Sequence, residues 1–286
     1  MNEIIKTPYN KLNEIDKSTI IDSYYQRKDL EFGQLSDLLQ VSERAVSRVL
    51  KEANINTKRI NRYTLNETYF TDIDCEEKAY ILGLIYADGF VGNEFFNNIV
   101  LGLNDKDLVE AVAKILNFTG EVRKGKKGGF KNSKESYILN FSSAIMAKRL
   151  REIGLYPNKS LTVSDLPNIK EDLYRHFVRG YFDGDGSIIL SKHTSYHTVS
   201  GKIKKYEYPT YTFMILGTKE LINKMLGKIN ITHYILTNTK TDEIKCLRVT
   251  AKCEFQYLFD YLYGDSAIYL KRKYNKWLEI MSAFMM

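Results

Sequence analysis

Apolar positions along the first part of the chain recur at helical spacing. Ile20, Ile21, Tyr24 and Tyr25 predict a helix over Ser18–Arg27, and Leu35, Leu38 and Leu39 predict a second over Gln34–Leu39. A three-residue turn, Gln40-Val41-Ser42, follows, and Ser42 is a good N-cap for a third helix starting at Glu43. That helix would turn Val46, Val49, Leu50 and Ala53 inward and Arg44, Ser47, Arg48 and Lys51 outward. Two helices joined by a tight turn, the second with a basic outer face, suit a helix-turn-helix that meets DNA through Arg44, Ser47 and Arg48. A plain helical bundle with a solvated face has the same pattern. Asn56–Asn66 is polar and basic without an apolar period.

Further along, the pattern repeats. Tyr80-Ile-Leu-Gly-Leu-Ile-Tyr-Ala-Asp88-Gly89-Phe90 and Phe177-Val-Arg-Gly-Tyr-Phe-Asp-Gly-Asp185-Gly186-Ser187 are apolar segments ending alike. Each is followed by strand-like alternation, a helix (Leu108–Asn117; Leu221–Asn230), more strand-like residues, another helix and a lysine, Lys159 or Lys273. The stretches Leu108–Lys159 and Leu221–Lys273 differ by a single residue, whereas Asp185–Leu221 is longer than Asp88–Leu108 by an excursion around Lys192–Lys205. A longer hairpin loop accounts for the difference, because closure entropy grows slowly with loop length. The predicted division is a helical domain over 1–60, a linker over 61–75 and two α-β-β-α-β-β-α repeats over 76–168 and 169–286, an α+β architecture.

The repeated ends carry the candidate chemistry. Asp88 and Asp185 each close an apolar helix, where the dipole disfavours a carboxylate by ~0.3–1 kcal/mol. Gly89 and Gly186 follow in the position suited to a left-handed C-terminal residue. One such Asp-Gly is an ordinary turn; two in register call for an offsetting gain, and a divalent cation supplies it to oxygen ligands. Gly83 with Ala87, and Gly180 with Gly184, place small residues one turn apart, so the two helices can pack backbone to backbone. Such packing would set Asp88 beside Asp185.

Composition narrows the classes. Of 286 residues, 44% are hydrophobic and 27% charged, which excludes a disordered chain. The apolar run Ala79–Ala87 is far too short for a membrane span, and the start lacks a secretory pattern. A cytoplasmic protein with no membrane partner is expected. Cys75, Cys246 and Cys253 match no zinc or redox spacing. A net charge of +7 permits a polyanionic partner without requiring one. His193-x-x-x-His197 lacks a nearby third ligand for zinc.

The paired segments Ile81–Gly89 and Val178–Gly186, in a repeated unit spanning roughly residues 64–280, resemble the LAGLIDADG homing endonucleases in their single-chain, two-motif form. The lead-in Tyr69–Tyr80 is similar to that of phage and bacterial members. The resemblance implies two antiparallel sheets forming a saddle on the DNA major groove. It implies monomeric, site-specific cleavage of both strands of an asymmetric target during intron homing, with no required protein partner. It also implies two or more magnesium ions held by Asp88 and Asp185 with Gly89 and Gly186, calcium binding without cleavage, and Lys159 and Lys273 as basic catalytic groups. DNA contacts are expected from the hairpin residues Arg123, Lys124, Lys126, Lys127 and Lys131, and from Lys192, Lys202, Lys204 and Lys205. Tyr86 stands where the family often has an acid, which the second copy keeps as Asp183; Arg179 in the second helix has no counterpart in the pattern. Asn104 and Thr218 are candidates for positioning water. The alternatives are a DNA-binding regulator on the same scaffold and an intron maturase, neither of which cleaves.

Overall fold

The structure is a computed structural model that describes residues 6–27, 30, 32–55, 63–125 and 135–283. The chain falls into two units, Met1–Arg62 and Tyr63–Met286.

The smaller unit has helices α1 (Glu14–Gln26), α2 (Phe32–Leu39) and α3 (Glu43–Glu52). α1 starts earlier than its apolar spacing suggests because Asn13 and Asp16 form a capping box, Asp16 N–H donating to Asn13 Oδ1 at 2.8 Å and Asn13 N–H to Asp16 Oδ2 at 2.9 Å. Between α2 and α3 the chain reverses through Gln40, with φ 54°, and Ser42 accepts from the N–H of Ala45. Ile20, Leu35, Ala45, Val46, Val49 and Leu50 make the core. Ala53 is an exposed C-cap instead of a core residue, and Ala45 takes the inward place. Arg44, Ser47 and Arg48 are exposed, but Arg48 already stacks 4.1 Å from the Tyr9 ring and pairs with Glu52 at 3.0 Å.

The larger unit opens with α4 (Glu76–Asp88), β1 (Gly89–Val91), β2 (Asn98–Leu103), α5 (Lys106–Ile115), β3 (Arg123–Lys124), β4 (Tyr137–Ser142), α6 (Ala144–Glu152) and α7 (Lys159–Thr162). It repeats with α8 (Tyr174–Asp185), β5 (Gly186–Val199), β6 (Lys202–Thr218), α9 (Lys219–Ile229), β7 (Ile235–Asn238), β8 (Ile244–Val249), α10 (Lys252–Tyr263) and α11 (Lys271–Ala283). The two sheets are antiparallel and of matching order, β1-β2-β4-β3 and β5-β6-β8-β7. Period-two alternation sends Ile99, Leu101, Leu139 and Phe141 of one sheet, and Phe213, Ile215, Leu247 and Val249 of the other, into a continuous core. Opposite faces stay open, with Phe90, Asn140, Ile189 and Leu216 exposed. Within the stretch assigned to a linker, Tyr69 and Phe70 are buried in this core.

The excursion around Lys192–Lys205 is strand, not loop. β5 and β6 pair without a bulge from Gly186↔Ile215 to Val199↔Lys202, closed by Ser200 and Gly201 at φ 51° and 74°. Positive φ at both central residues gives the turn the twist of its strands.

Candidate active site

The motif helices α4 and α8 cross with their backbones in contact. A Cβ on Gly83 would lie 2.1 Å from the Phe177 carbonyl oxygen, and one on Gly180 would lie 2.0 Å from that of Tyr80. At the C-terminal ends a Cβ on Gly184 would meet the Ala87 Cβ at 2.3 Å and Asp88 Oδ2 at 3.0 Å. Small residues therefore bring the two helix ends together, and Asp88 and Asp185 come with them.

Gly89 and Gly186 have φ of −82° and −92°, extended backbone and not the left-handed conformation the Asp-Gly pattern suggests. Each helix runs straight into a strand. Glycine is required for space: a Cβ would sit 2.6 Å from the Ile85 carbonyl oxygen at Gly89 and 2.4 Å from that of Phe182 at Gly186.

Lys159 and Lys273 are buried at 5% and 4% exposure, one behind each motif helix. Lys159 Nζ donates to the carbonyls of Tyr86 and Ala87 at 2.7 and 2.6 Å. Lys273 Nζ donates to those of Asp183 at 2.8 Å and Gly186 at 2.6 Å, and to Phe182. The last-turn carbonyls, left without partners by helix geometry, thus receive an ammonium that also suits the negative end of the dipole. Burial lowers the pKa of both lysines, Lys273 to about 8, while nearby aspartates oppose the shift.

The two carboxylates show the reverse. Their tips reach solvent, yet protein crowds them, and this burial pushes Asp88 up to about 6, with the Asp185 charge adding to it. Burial raises Asp185 too, against the pull of Lys159 and Lys273. Two crowded acids whose burial and mutual charge disfavour ionisation favour a cation beside them.

The remaining motif acid has a different task. Asp183 is 1% exposed and accepts from the Tyr80 and Tyr263 hydroxyls at 2.8 and 2.9 Å and from the Leu270 N–H at 2.7 Å. Leu270 immediately precedes α11, so Asp183 anchors the helix that carries Lys273. Tyr86, at the matching place in α4, donates its hydroxyl to the Ile153 carbonyl at 2.9 Å, at the end of α6. Acid and tyrosine thus do the same job through opposite hydrogen-bond polarity. Arg179, whose long side chain the sequence left unexplained, is 0% exposed and donates to Glu76 Oε1 at 2.6 Å and to the Leu262 and Ile268 carbonyls at 2.8 and 3.0 Å. It ties α8 to the start of α4 and to the segment before α11. A lone buried arginine among apolar residues was the available signal, since such a charge requires partners.

Thr218 is buried; it caps α9 through the Leu221 N–H and donates to the Val163 carbonyl. Asn104 lies exposed just beyond β2. His193 and His197 stand on one strand, where four residues span about 13 Å, too far for one zinc ion. His233, Cys253 and Glu254 cluster within 4.8 Å, but Glu254 Oε1 already accepts from the Thr232 and His233 N–H groups, which makes it a loop clamp. Arg123 lies opposite Ile138 on the open face of the first sheet; Lys124 faces the other way and pairs with Glu135 at 3.2 Å. Lys126, Lys127 and Lys131 fall outside the described residues. No helix among the described residues is long and apolar enough to cross a membrane.

No protein-family model matches the chain. An uncharacterized protein of Methanocaldococcus jannaschii, MJ0314, is 30% identical over 174 residues, which cover 53% of this chain and 57% of that protein; the chain thus spans little more than half of that relative. The solved structure of the LAGLIDADG homing endonuclease I-LtrWI, bound to its target DNA, superposes with TM-score 0.52 at 15% identity, covering 77% of this chain and 92% of the other. The meganuclease I-CpaMI, bound to uncleaved DNA, gives TM-score 0.49 at 11% identity, with 72% and 91% covered. Two matching four-stranded sheets, two crossed glycine-bearing helices and this superposition establish that the chain has the LAGLIDADG fold.

Proposed function

We propose that the protein is a site-specific DNA endonuclease that hydrolyses both strands of a long asymmetric duplex target, as a monomer. The single observation behind it is the convergence of Asp88 and Asp185 at the contact of α4 and α8, each helix end backed by a buried lysine. The neighbour I-LtrWI is described as bound to target DNA.

The donor set fits magnesium: two solvent-reached carboxylates whose proximity disfavours both being charged without a cation. Asp88 and Asp185 would hold the metal, and the Gly89 carbonyl is a further oxygen donor. The Gly186 carbonyl is the weaker candidate, because it already accepts from Lys273. When bound, magnesium polarises the phosphodiester and eases deprotonation of attacking water. Lys273 spends its three N–H groups on carbonyls, so it acts on the reacting phosphate through its field and by holding α8 in place. Lys159, with two carbonyl partners, retains one donor for solvent or phosphate.

Cleavage of a randomised long-duplex library, with cut ends sequenced, tests the reading. Breaks at one asymmetric site with magnesium, and retention without breaks with calcium, are expected. Retention with no breaks under either ion favours the second reading, a regulator, which the basic outer face of α3 supports.

A further inference from the structure

Two segments far apart in the chain meet at the start of α10. Residues 230–234 lead from α9 into β7, and Glu254, in the first turn of α10, holds them. Its Oε1 accepts from the N–H groups of Thr232 and His233 at 3.0 and 2.9 Å and from the Thr232 hydroxyl at 2.9 Å, and His233 Nδ1 also lies 2.9 Å away. Glu254 is 7% exposed. Burial opposes its charge, but these donors outweigh burial and hold its pKa down to about 2, so it is a carboxylate at any working pH.

The clamp uses one oxygen of the two. A carboxylate oxygen has two lone pairs, whereas four polar groups crowd Oε1, and none of these bonds occupies Oε2. The His233 ring is the group best able to leave, because its side chain is 68% exposed while the two N–H groups are fixed by the backbone. Cys253, also exposed, stands next to Glu254 in the same helical turn. One ligand atom each from His233, Cys253 and Glu254 lies within 4.8 Å of the others, and no second group of three such ligands occurs among the described residues. Zinc bonds of ~2.0–2.3 Å set tetrahedral ligands roughly 3.5 Å apart. The three ligands need to close by about 1 Å at most, which rotation of the exposed His233 and Cys253 side chains provides.

We propose that His233, Cys253 and Glu254 bind one zinc ion, with water in the fourth position, and that the ion clips the entry of β7 to the start of α10. A thiolate with an imidazole selects zinc over magnesium, so this site takes a different metal from the one expected at Asp88 and Asp185. As the Zn–S bond forms, the Cys253 thiol gives its proton to solvent, so binding releases one proton. β7 is the edge strand of the order β5-β6-β8-β7, at the far side from the strand that follows Asp185, and Tyr234, Ile235 and Leu236 at its start are large exposed side chains. A strand paired on one side only gains most from having its end pinned. His233 and Cys253 stand on different elements, so no short spacing along the chain marks the site.

The test uses the full chain, stripped with a chelator and titrated with zinc, with cobalt(II) as a spectroscopic probe. One equivalent of cobalt should bring up a thiolate-to-metal charge-transfer band that zinc then removes. Cys253→Ser should abolish the band, and His233→Gln should weaken zinc binding about tenfold or more. Both side chains are exposed, so the variants keep the fold. Cys75→Ser and Cys246→Ser should change neither readout. Zinc at about a hundredfold excess over its Kd should raise the melting temperature of the parent by about 5 °C and leave that of Cys253→Ser unmoved. Absence of the band, a band that survives Cys253→Ser, or equal zinc affinity in the parent and both variants, which means adventitious surface binding only, overturns the site. Zinc held by Asp88 and Asp185 gives no thiolate band. The readout is metal binding, so a failure to cut DNA bears on the nuclease reading alone.

Discussion

Asp88, Asp183 and Asp185 all lie in the last turns of the motif helices yet are held in two kinds of environment, and the difference separates Asp183 from the other two. Asp183 is saturated by two hydroxyls and an N–H, so it serves architecture. Asp88 and Asp185 are crowded by protein, and Asp88 also by the charge of its neighbour, a setting that a divalent cation would relieve. Asp88→Asn or Asp185→Asn should abolish cleavage while leaving DNA affinity within about tenfold, read by gel-shift and single-turnover cutting; full activity in either would sink the shared site. The same raised pKa predicts a stability effect. The Asp88 folded value, about 6, lies above its unfolded 3.8, so its charge opposes folding above pH 6, and the opposition fades as pH falls. Asp88→Asn should therefore melt higher than the parent at pH 7 in the absence of metal, with the gap closing near pH 4. His176 has the opposite sign. Burial and Arg179 hold it down to about 4, and its Nδ1 lies 2.9 Å from Arg179 Nη1, an arrangement that requires the neutral ring. Its unfolded form takes up a proton near pH 6.5, so stability drains between pH 6.5 and about 4. His176→Gln should flatten that part of the melting-temperature profile; an unchanged slope would show that another group titrates there.

Among elements, α4 and α8 were the most legible, because apolar residues, small residues and a terminal Asp-Gly recur in both copies. Their contact leaves no room for a methyl group. Gly180→Ala, with its Cβ 2.0 Å from the Tyr80 carbonyl oxygen, should cost at least about 2 kcal/mol by urea denaturation, since backbone cannot move aside as a side chain can. A stability close to the parent would mean the helices cross more loosely. The β5–β6 ribbon was the least legible element. Its outer part alternates no apolar with polar residues because neither face meets the core, so only cross-strand pairing, invisible along the chain, distinguishes it from a loop. Helix starts were likewise displaced where a cap decided them, as at Asn13.

At the scale of the molecule, each unit has its own core, Ile20 with Val46 and Leu50 in the smaller and the sheet-and-helix core in the larger. Removing residues 1–60 should leave a cooperatively folding protein that still cuts with magnesium and binds DNA more weakly. Loss of all cutting in a folded truncation would show that the smaller unit contributes to the chemistry. If the proposed DNA reading is right, binding of the parent should also fall steeply with salt, as phosphate contacts by a chain of +7 would require.

The duplication, the packing of the small-residue helices and the pair of acids at their ends are legible along the chain, because each is a local pattern repeated at matching intervals. Which groups Lys159, Lys273, Asp183 and Arg179 meet depends on packing. Each acts on backbone or side-chain groups far along the chain: Lys273 meets the end of α8, and Arg179 meets Glu76 and the Leu262 and Ile268 carbonyls. Period-two parity, which sets Lys202 and Lys204 on one face of the β5–β6 ribbon and Lys192 and Lys205 on the other, also belongs to the structure. Partners brought together by packing leave no spacing for a sequence pattern to record.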